Sequence, residues 1–498
     1  MAGDSTEKVT VIEEGKAKIA FKGDASCFYN PIQEFNRDLT VTVLQQFVDD
    51  RMKERAEKKE NAENGDTEPA VKKKKFLIED EDGSIRILDA LSASGLRALR
   101  FSQEVPHVSS VLANDFSDNA VETIKRNVEL NGVTDKVTPH CGDAIDSTPL
   151  TSTRTALPRP SWTPQFNVWL IEAFSWSRVQ TWLCCVGTLP NRASTSTMLF
   201  LSGSRVAMRW HSELRSIDAH ASRYSRYIEP LVCISVDFYV RVFVRMYTGA
   251  KQAKDAATKC SRVLICTGCQ SFELVPILKK VQEKTSVKYT APTVKSDLVG
   301  DGHKYVHCGH SLHEGGPLYS APIHDKTFVK SLLQRLENTP ERERLTTHKR
   351  LLGMMHLIHD ELDSPLYFLH DQLSFVVKCT VPKMINVSGS HCHPRAVKTD
   401  APPSLLWDLC RKLVEDSNVD ISKQEEGTPG RTILNKPRTV EINFSQHAQA
   451  QKLQKSDQYI RFQCNKGKNW GPKPKAKGSV NSVKAGFQVD VVAVVKED

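Results

Sequence analysis

The chain has 498 residues, 39% of them hydrophobic and 26% charged, with a formal net charge of +9. That length exceeds what one hydrophobic core usually supports, so two or more domains are expected. No apolar run approaches the roughly eighteen residues of a membrane span, and thirteen scattered cysteines fit a reducing compartment rather than a disulfide scaffold.

The N-terminus, MAGDSTEKVTVIEEGK, is polar and carries acids, unlike a secretory signal or an Arg-rich transit peptide. Residues 51–75 are charged and poor in apolar side chains, and they include an Asn-Gly pair and a proline. A disordered insertion is expected there. From Ile85 the pattern changes. A short apolar run (Ile85, Ile87, Leu88) ends in Asp89, and the small-residue loop Ser92-Ala93-Ser94-Gly95 opens a helical pattern. A second apolar run, Val108 to Ala113, stops at Asn114-Asp115, about twenty residues after the glycine turn. Strand, tight turn, helix, strand and acid is the order of a βαβ cofactor fold. A small loop lets backbone approach the cofactor, and an acid at that strand end can accept both ribose hydroxyls. The loop lacks the three-glycine dinucleotide signature, which points to S-adenosylmethionine rather than NAD.

Between Ser147 and Trp210 the signals conflict. The stretch holds a single acid, Glu172, while five of the chain's seven Trp lie between Trp162 and Trp210. Neither period two nor period 3.6 persists, although a globular interior shows locally consistent signals. Val232 to Tyr247 is rich in β-branched and aromatic residues, which predicts strands. Cysteines and histidines then cluster from Cys266 to His313, and Lys330 to Leu362 has helical spacing within a smaller second domain. Beyond about Glu441 periodicity fades. The basic tail from Lys452 to Lys477 and the block Lys72 to Lys75 suit a polyanionic partner.

Six segments carry a family resemblance: CFYNPIQEFNRDLT (Cys27 to Thr40), ILDALSASGLRALRF (Ile87 to Phe101), ANDFSDNAVETIKRNVELNGV (Ala113 to Val133), RSIDAHASRYSRYIEPLVCISVDFYVRVFVRMYTG (Arg215 to Gly249), AVKTDAPPSLLWD (Ala396 to Asp408) and NWGPKPKA (Asn469 to Ala476). The chain resembles the tRNA guanine-26 N2-dimethyltransferases. The resemblance implies an α/β fold, a Rossmann-like class I methyltransferase core with a smaller α/β C-terminal domain. On that reading residues 1–255 are the S-adenosylmethionine-dependent domain, 256–440 the tRNA-binding domain, and 441–498 a basic, largely disordered tail. By motif the cofactor contacts fall on Arg37, Arg97, Asp115, Asp143 and Ala144. Asp115 would hold the ribose diol and Asp143 the adenine amino group. The arginines would hold the methionine carboxylate or the loop's shape; the alternative is that they are surface or ion-pair residues. The implied partner is tRNA, with Lys349, Arg350, Lys398 and the tail as candidate phosphate contacts, each of which reads equally as a solvated charge. No membrane and no obligate protein partner are implied. The nucleus is the expected compartment, with mitochondrion or cytoplasm as alternatives.

Enzymes of this kind present an Asp-Pro-Tyr/Phe-Gly loop downstream of Asp143 to hold the target amine, and this chain contains none. A shifted reading frame accounts for its absence. Ser152 to Leu157 can be encoded by TCG ACC CGT ACG GCA CTG, and dropping two bases gives Asp-Pro-Tyr-Gly-Thr. The same offset reads Gln180 to Thr188 as DMAVLCGN and Ala207 to Ser212 as HEMAL. Residues 147–214 are therefore expected to be out of frame, with loss of the loop and of the strand behind it. A short deletion is also expected where Met384-Ile385-Asn386 runs into Ser390-His391-Cys392. Two functions follow: an N2-guanine methyltransferase, or a non-catalytic tRNA-binding protein lacking the acceptor loop.

Cys266-Thr267-Gly268-Cys269 is half of a zinc knuckle pair, whose other half would lie at Tyr305 to Cys308. Tyr305 stands where the family's other cysteine is expected. The expected zinc ligands are Cys266, Cys269 and Cys308, with the fourth open among His303, His307 and His310; the alternative is that Cys266 and Cys269 are ordinary free thiols.

Overall fold

The computed structural model describes residues 9–22, 29–63, 84–142, 168–170, 205–236, 239–284, 286–292, 299–300, 304–380, 388–444, 459–462 and 491–492. By contacts the chain divides into two units. Residues 1–188, 331–352 and 464–498 form one, and residues 189–330 and 353–463 form the other.

The first unit opens with an antiparallel hairpin, β1 (Val9–Glu14) and β2 (Ala17–Lys22). Helix α1 (Glu34–Glu63) follows, led in by a 3₁₀ turn at Pro31–Gln33. Asn30 starts that turn, because its side chain accepts from the Ile32 amide at 3.0 Å and Pro31 is preset for the first helical position. Next come β3 (Ile85–Asp89), α2 (Leu96–Glu104), β4 (Val108–Asp115), α3 (Asp118–Leu130) and β5 (Val137–Cys141). With β6 (Val168–Leu170) the strands make one parallel sheet in the order β5-β4-β3-β6. Ile85, Ile87, Leu88, Val111 and Ala113 are buried, as are Leu99, Phe101 and Ile124 on the helices. Near-continuous apolar strands are what a parallel sheet covered on both faces requires. The βαβ order read from the sequence is the observed one.

The expected disordered insertion at 51–75 is corrected in its first half. Residues 51–63 continue α1, because Arg, Met, Lys, Glu and Ala are strong helix formers and Arg51 is buried. The expected loss of a strand is also corrected. Val168–Leu170 pairs in parallel with β3, Leu88 opposite Trp169.

In the second unit α4 (Arg205–Arg223) packs on a hairpin of β7 (Arg226–Val236) and β8 (Tyr239–Thr248), which realises the strands predicted at Val232 to Tyr247. Leu214, Ile228, Cys233, Val240, Tyr319 and Ile323 share one core. Through that core residues 205–255 join the second unit, and residues 331–352 join the first. Both departures move the boundary expected at 255/256. The C-terminal ten residues of the 147–214 segment lie in α4. Strands β9 (Cys260–Cys266) and β10 (Phe272–Pro276) pair with each other, and β9 also pairs with Leu312–Tyr319. A separate hairpin joins β11 (Lys279–Gln282) to β12 (Val287–Thr290). Helices Lys326–Asn338 and His348–Asp360 fall where Lys330 to Leu362 predicted helix. Helix Pro403–Asp416 buries Trp407 against the Cys266 cluster. No helix among the described residues is long and apolar enough to cross a membrane. Asp143, Ala144, His303, the expected deletion just after Asn386 and most of the tail lie outside the described residues.

Candidate functional site

A cleft of about 260 Å³ opens at the C-terminal ends of β3 and β4, lined by Tyr29, Asn30, Gln33, Arg37, Ser92 to Ser94, Arg97 and Asp115. This is the ligand position of an open α/β sheet. Three features shape its floor. The Ser92 amide donates to the Asn114 carbonyl at 2.8 Å, tying the loop to the end of β4. Ala93 sits at φ +50° and donates its amide to Asp115 Oδ2 at 2.9 Å. Gly95, at φ +82°, begins α2 so close to α3 that an added Cβ would meet Ile124 at 3.3 Å. Asp115 also accepts from the Ser117 amide at 3.0 Å. Each of its oxygens keeps a further lone pair, so the carboxylate is preset to receive a diol.

Arg37 and Arg97 line this cleft, but each already serves a carboxylate of the protein. Arg37 forks onto Glu14, with Nε 2.6 Å from Oε1 and the second bond from Nη2 to Oε2. Arg97 pairs with the fully buried Asp89 at 2.9 Å and donates to the Leu91 carbonyl. Burial pushes the Asp89 carboxyl up, against the pull of Arg97 and the Ser92 hydroxyl, which donates at 2.7 Å. For Arg97 this geometry fits shaping the loop, through the Leu91 carbonyl, whereas Arg37 stands as an ion-pair residue on Glu14 and the Asn30 carbonyl. Glu14 is held below the usual carboxylate range: burial raises it, and Arg37 and Arg100 outweigh that.

Sequence reasoning missed Tyr29, Asn30 and Gln33, although the YNP element carried them. Tyr29 donates to Glu14 at 3.2 Å and lies beneath the Arg37 guanidinium, 5.3 Å from ring centroid to Cζ. Directly after Asp115, Phe116 is 77% exposed.

In the second unit Cys266, Cys269 and Cys308 place their sulfurs within 4.8 Å of one another, all buried, with Cys266 and Cys308 3.1 Å apart. Two matching turns build the cluster. The Gln270 amide returns to the Cys266 carbonyl at 3.2 Å, and the Gly309 amide to the Tyr305 carbonyl at 2.8 Å. Gln270 and Gly309 both take left-handed backbone, φ +61° and +72°. Tyr305 therefore occupies in its turn the place Cys266 holds in the other, and it packs in the same buried cluster. Hydrogen bonds from Cys269 and Cys308 draw the Cys266 thiol down. Three convergent soft donors fit zinc. Among the described residues no histidine joins them: His310 turns its Nδ1 to the Cys308 carbonyl at 3.0 Å, and His307 packs edge-on against Tyr305.

A second buried group joins His324, Glu361 and His391. Glu361 accepts from His391 Nδ1 at 2.5 Å and the Ser390 hydroxyl at 2.9 Å, and pairs with the Lys398 ammonium at 2.7 Å. Burial alone would raise Glu361, and His391 and Lys398 hold it well below its ordinary range. The ammonium already supplies the cation, so this is an internal ion network. Lys398, only 1% exposed, is thereby removed from the expected phosphate contacts. Arg350 stacks over the Phe35 ring at 4.2 Å.

A parallel sheet flanked by helices, a small-residue turn and an acid at the end of the next strand define a class I methyltransferase fold. A family model described as N2,N2-dimethylguanosine tRNA methyltransferase matches residues 7–151 and 205–411. The chain is 48% identical over 521 residues to tRNA (guanine(26)-N(2))-dimethyltransferase of Caenorhabditis elegans, covering 98% of this chain and 96% of that one. It is 34% identical over 536 residues to the Mus musculus protein of the same name, covering 95% and 77%. Among solved structures it is similar to Trm1 from Pyrococcus horikoshii in complex with S-adenosyl-L-methionine. There the TM-score is 0.50 at 19% identity, over 80% of this chain and 99% of that one. The chain belongs to the N2,N2-dimethylguanosine tRNA methyltransferase family.

Proposed function

We propose that this protein transfers methyl groups from S-adenosylmethionine to the exocyclic N2 of guanine 26 in tRNA, as its relatives are named for doing. The carrying observation is the cleft where Asp115, the Ala93 amide and the Asn30–Arg37 helix start converge. Asp115 accepts the ribose hydroxyls, and Phe116 offers its exposed ring to the adenine. Ser92 to Ser94 bring backbone against the methionine portion, while Arg37 and Arg97 fix the walls through Glu14 and Asp89. Asp143 and Ala144 complete the adenine side by family motif. The cofactor supplies an electrophilic sulfonium methyl. The guanine amine is a weak nucleophile, so positioning carries much of the acceleration, and the base must leave its stack to be positioned.

Asp115→Ala tests this reading. Loss of a charged acceptor is expected to weaken S-adenosylmethionine binding by about ten- to a hundredfold in calorimetry. Unchanged affinity would remove the cleft as the cofactor site.

The departure of residues 152–204 from the family match falls inside the segment read as out of frame. We take it as a frame shift that replaces the acceptor loop. The nucleus is the compartment proposed.

Cys266, Cys269 and Cys308 are proposed to hold a structural zinc, which would cross-link the two turns. Metal analysis of the purified chain should find about one zinc, and Cys266→Ser should lose it. Tyr305→Cys should slow chelator extraction at least about tenfold. Much less than one zinc in the unsubstituted chain would retire the site.

A further inference from the structure

The β11–β12 hairpin has a regular ladder and almost no core. All four residues of β11 are exposed, with Val281 at 43%. A lone two-stranded hairpin is marginal in water, so something must hold it. Here that is Asp255. Lys280 and Tyr289 are register partners, and they donate to the two oxygens of that carboxylate at 2.7 Å each. One face of the hairpin is thus fastened to the unit. Alternation puts Lys279, Val281 and Lys288 on the other face, with Val281 opposite Lys288. Lys279 and Lys288 are diagonal neighbours, about 7–8 Å apart. Lys284 stands exposed at the turn. From Lys279 to Thr290 the chain carries four lysines against one acid, Glu283. That acid reaches Lys288 only at 3.9 Å, between exposed side chains, which neutralises little.

We infer that this hairpin is a phosphate-tracking arm: Lys279 and Lys288 on its unfastened face and Lys284 at its turn contact the sugar–phosphate backbone of tRNA. The inference rests on the tRNA reading above and extends it to a surface that no motif marked. The argument is one of charge complementarity. A clamped, cationic strand pair with an apolar residue between its lysines presents fixed charge to a polyanion at little ordering cost.

The test is tRNA binding by the full chain across a salt series. Triple substitution of Lys279, Lys284 and Lys288 by alanine should weaken binding at least about tenfold near physiological salt. It should also flatten the slope of log affinity against log salt by about 2–3. Triple substitution by arginine should keep both. S-adenosylmethionine affinity should be unchanged throughout, which excludes misfolding as the cause. If the unsubstituted chain binds tRNA and the alanine variant keeps the same affinity and slope, the arm is overturned while the functional reading stands. If the unsubstituted chain shows no salt-dependent tRNA binding, the functional reading falls and the arm with it.

Discussion

If residues 147–214 are out of frame as proposed, restoring the frame is expected to raise methyl transfer to unmodified tRNA by at least about a thousandfold over the chain as it stands. The magnitude follows from what the alternative frame supplies. One preorganised acceptor at a developing charge is worth about 10²–10³ in rate, and a mispositioned reactant costs about 10² more. The Asp-Pro-Tyr/Phe-Gly loop that the family resemblance implies would do both for a weakly nucleophilic amine. The cofactor end does not depend on that segment: Asp115, Ala93 and Arg37 all precede it, and the family match runs unbroken through residues 7–151. Binding of S-adenosylmethionine should therefore differ far less between the two chains than turnover does. Labelled cofactor with unmodified tRNA gives the measurement. Equal rates would show that residues 152–204 do not replace catalytic machinery, and no product from the restored chain would sink the methyltransferase reading. Genomic codons at Ser152 to Leu157 that forbid the offset would sink the frame argument.

The cofactor half-site was legible because its geometry is imposed by local rules. An apolar run ending in an acid, a turn of small residues and a second run ending at Asp115 can fold in few ways. The structure assembles them with the Ala93 amide on Asp115. What Arg37 and Arg97 do was less legible. Both were expected to face ligand or loop, and their actual partners, Glu14 and Asp89, are set by tertiary packing across 23 residues for Arg37 and by the depth of β3 for Arg97. Lys398 shows the same limit. A lysine beside a conspicuous motif reads as a surface cation until Glu361, far upstream in the chain, pairs with it in the core. The helical run at 51–63 was misread because charge was weighed above propensity. Glu, Lys, Arg and Ala disfavour a core and still favour a helix.

Arg100→Met is expected to cost about 3–5 kcal/mol of stability, one of the largest losses available to a single substitution in the first unit. Arg100 is fully buried on α2 and meets three carboxylates: Glu14 at 2.8 Å, Asp38 at 2.8 Å and Glu104 at 2.9 Å. Burial alone would lower the guanidinium's pKa, and those carboxylates raise it instead. Methionine fills much of the same volume, so the loss comes from stranding buried acids rather than from a cavity. It should also reach the cleft, because Glu14 bridges Arg100 to Arg37 and so holds a wall of the cofactor site. Weaker S-adenosylmethionine binding should accompany the lower melting temperature.

The pH dependence supplies a separate check. Glu14 has a folded pKa below its ordinary 4.5, so its stabilising contribution is present above 4.5 and is lost as pH falls through the folded value. Asp38 is shifted upward, by burial ahead of the opposing pull of Arg100. It therefore destabilises at neutral pH and is relieved on acidification. Removing Arg100 should push both carboxyls up, converting Glu14 from the first behaviour to the second. The stability gap between the two proteins should be widest near neutral pH, begin to narrow as pH falls through the raised carboxyl values of the variant, and narrow further below 4.5 as Glu14 of the unsubstituted chain is protonated. A gap that stays constant from neutral to acid pH would show that Arg100 acts by packing alone. The same outcome would release Glu14, and with it Arg37, from dependence on this ion network.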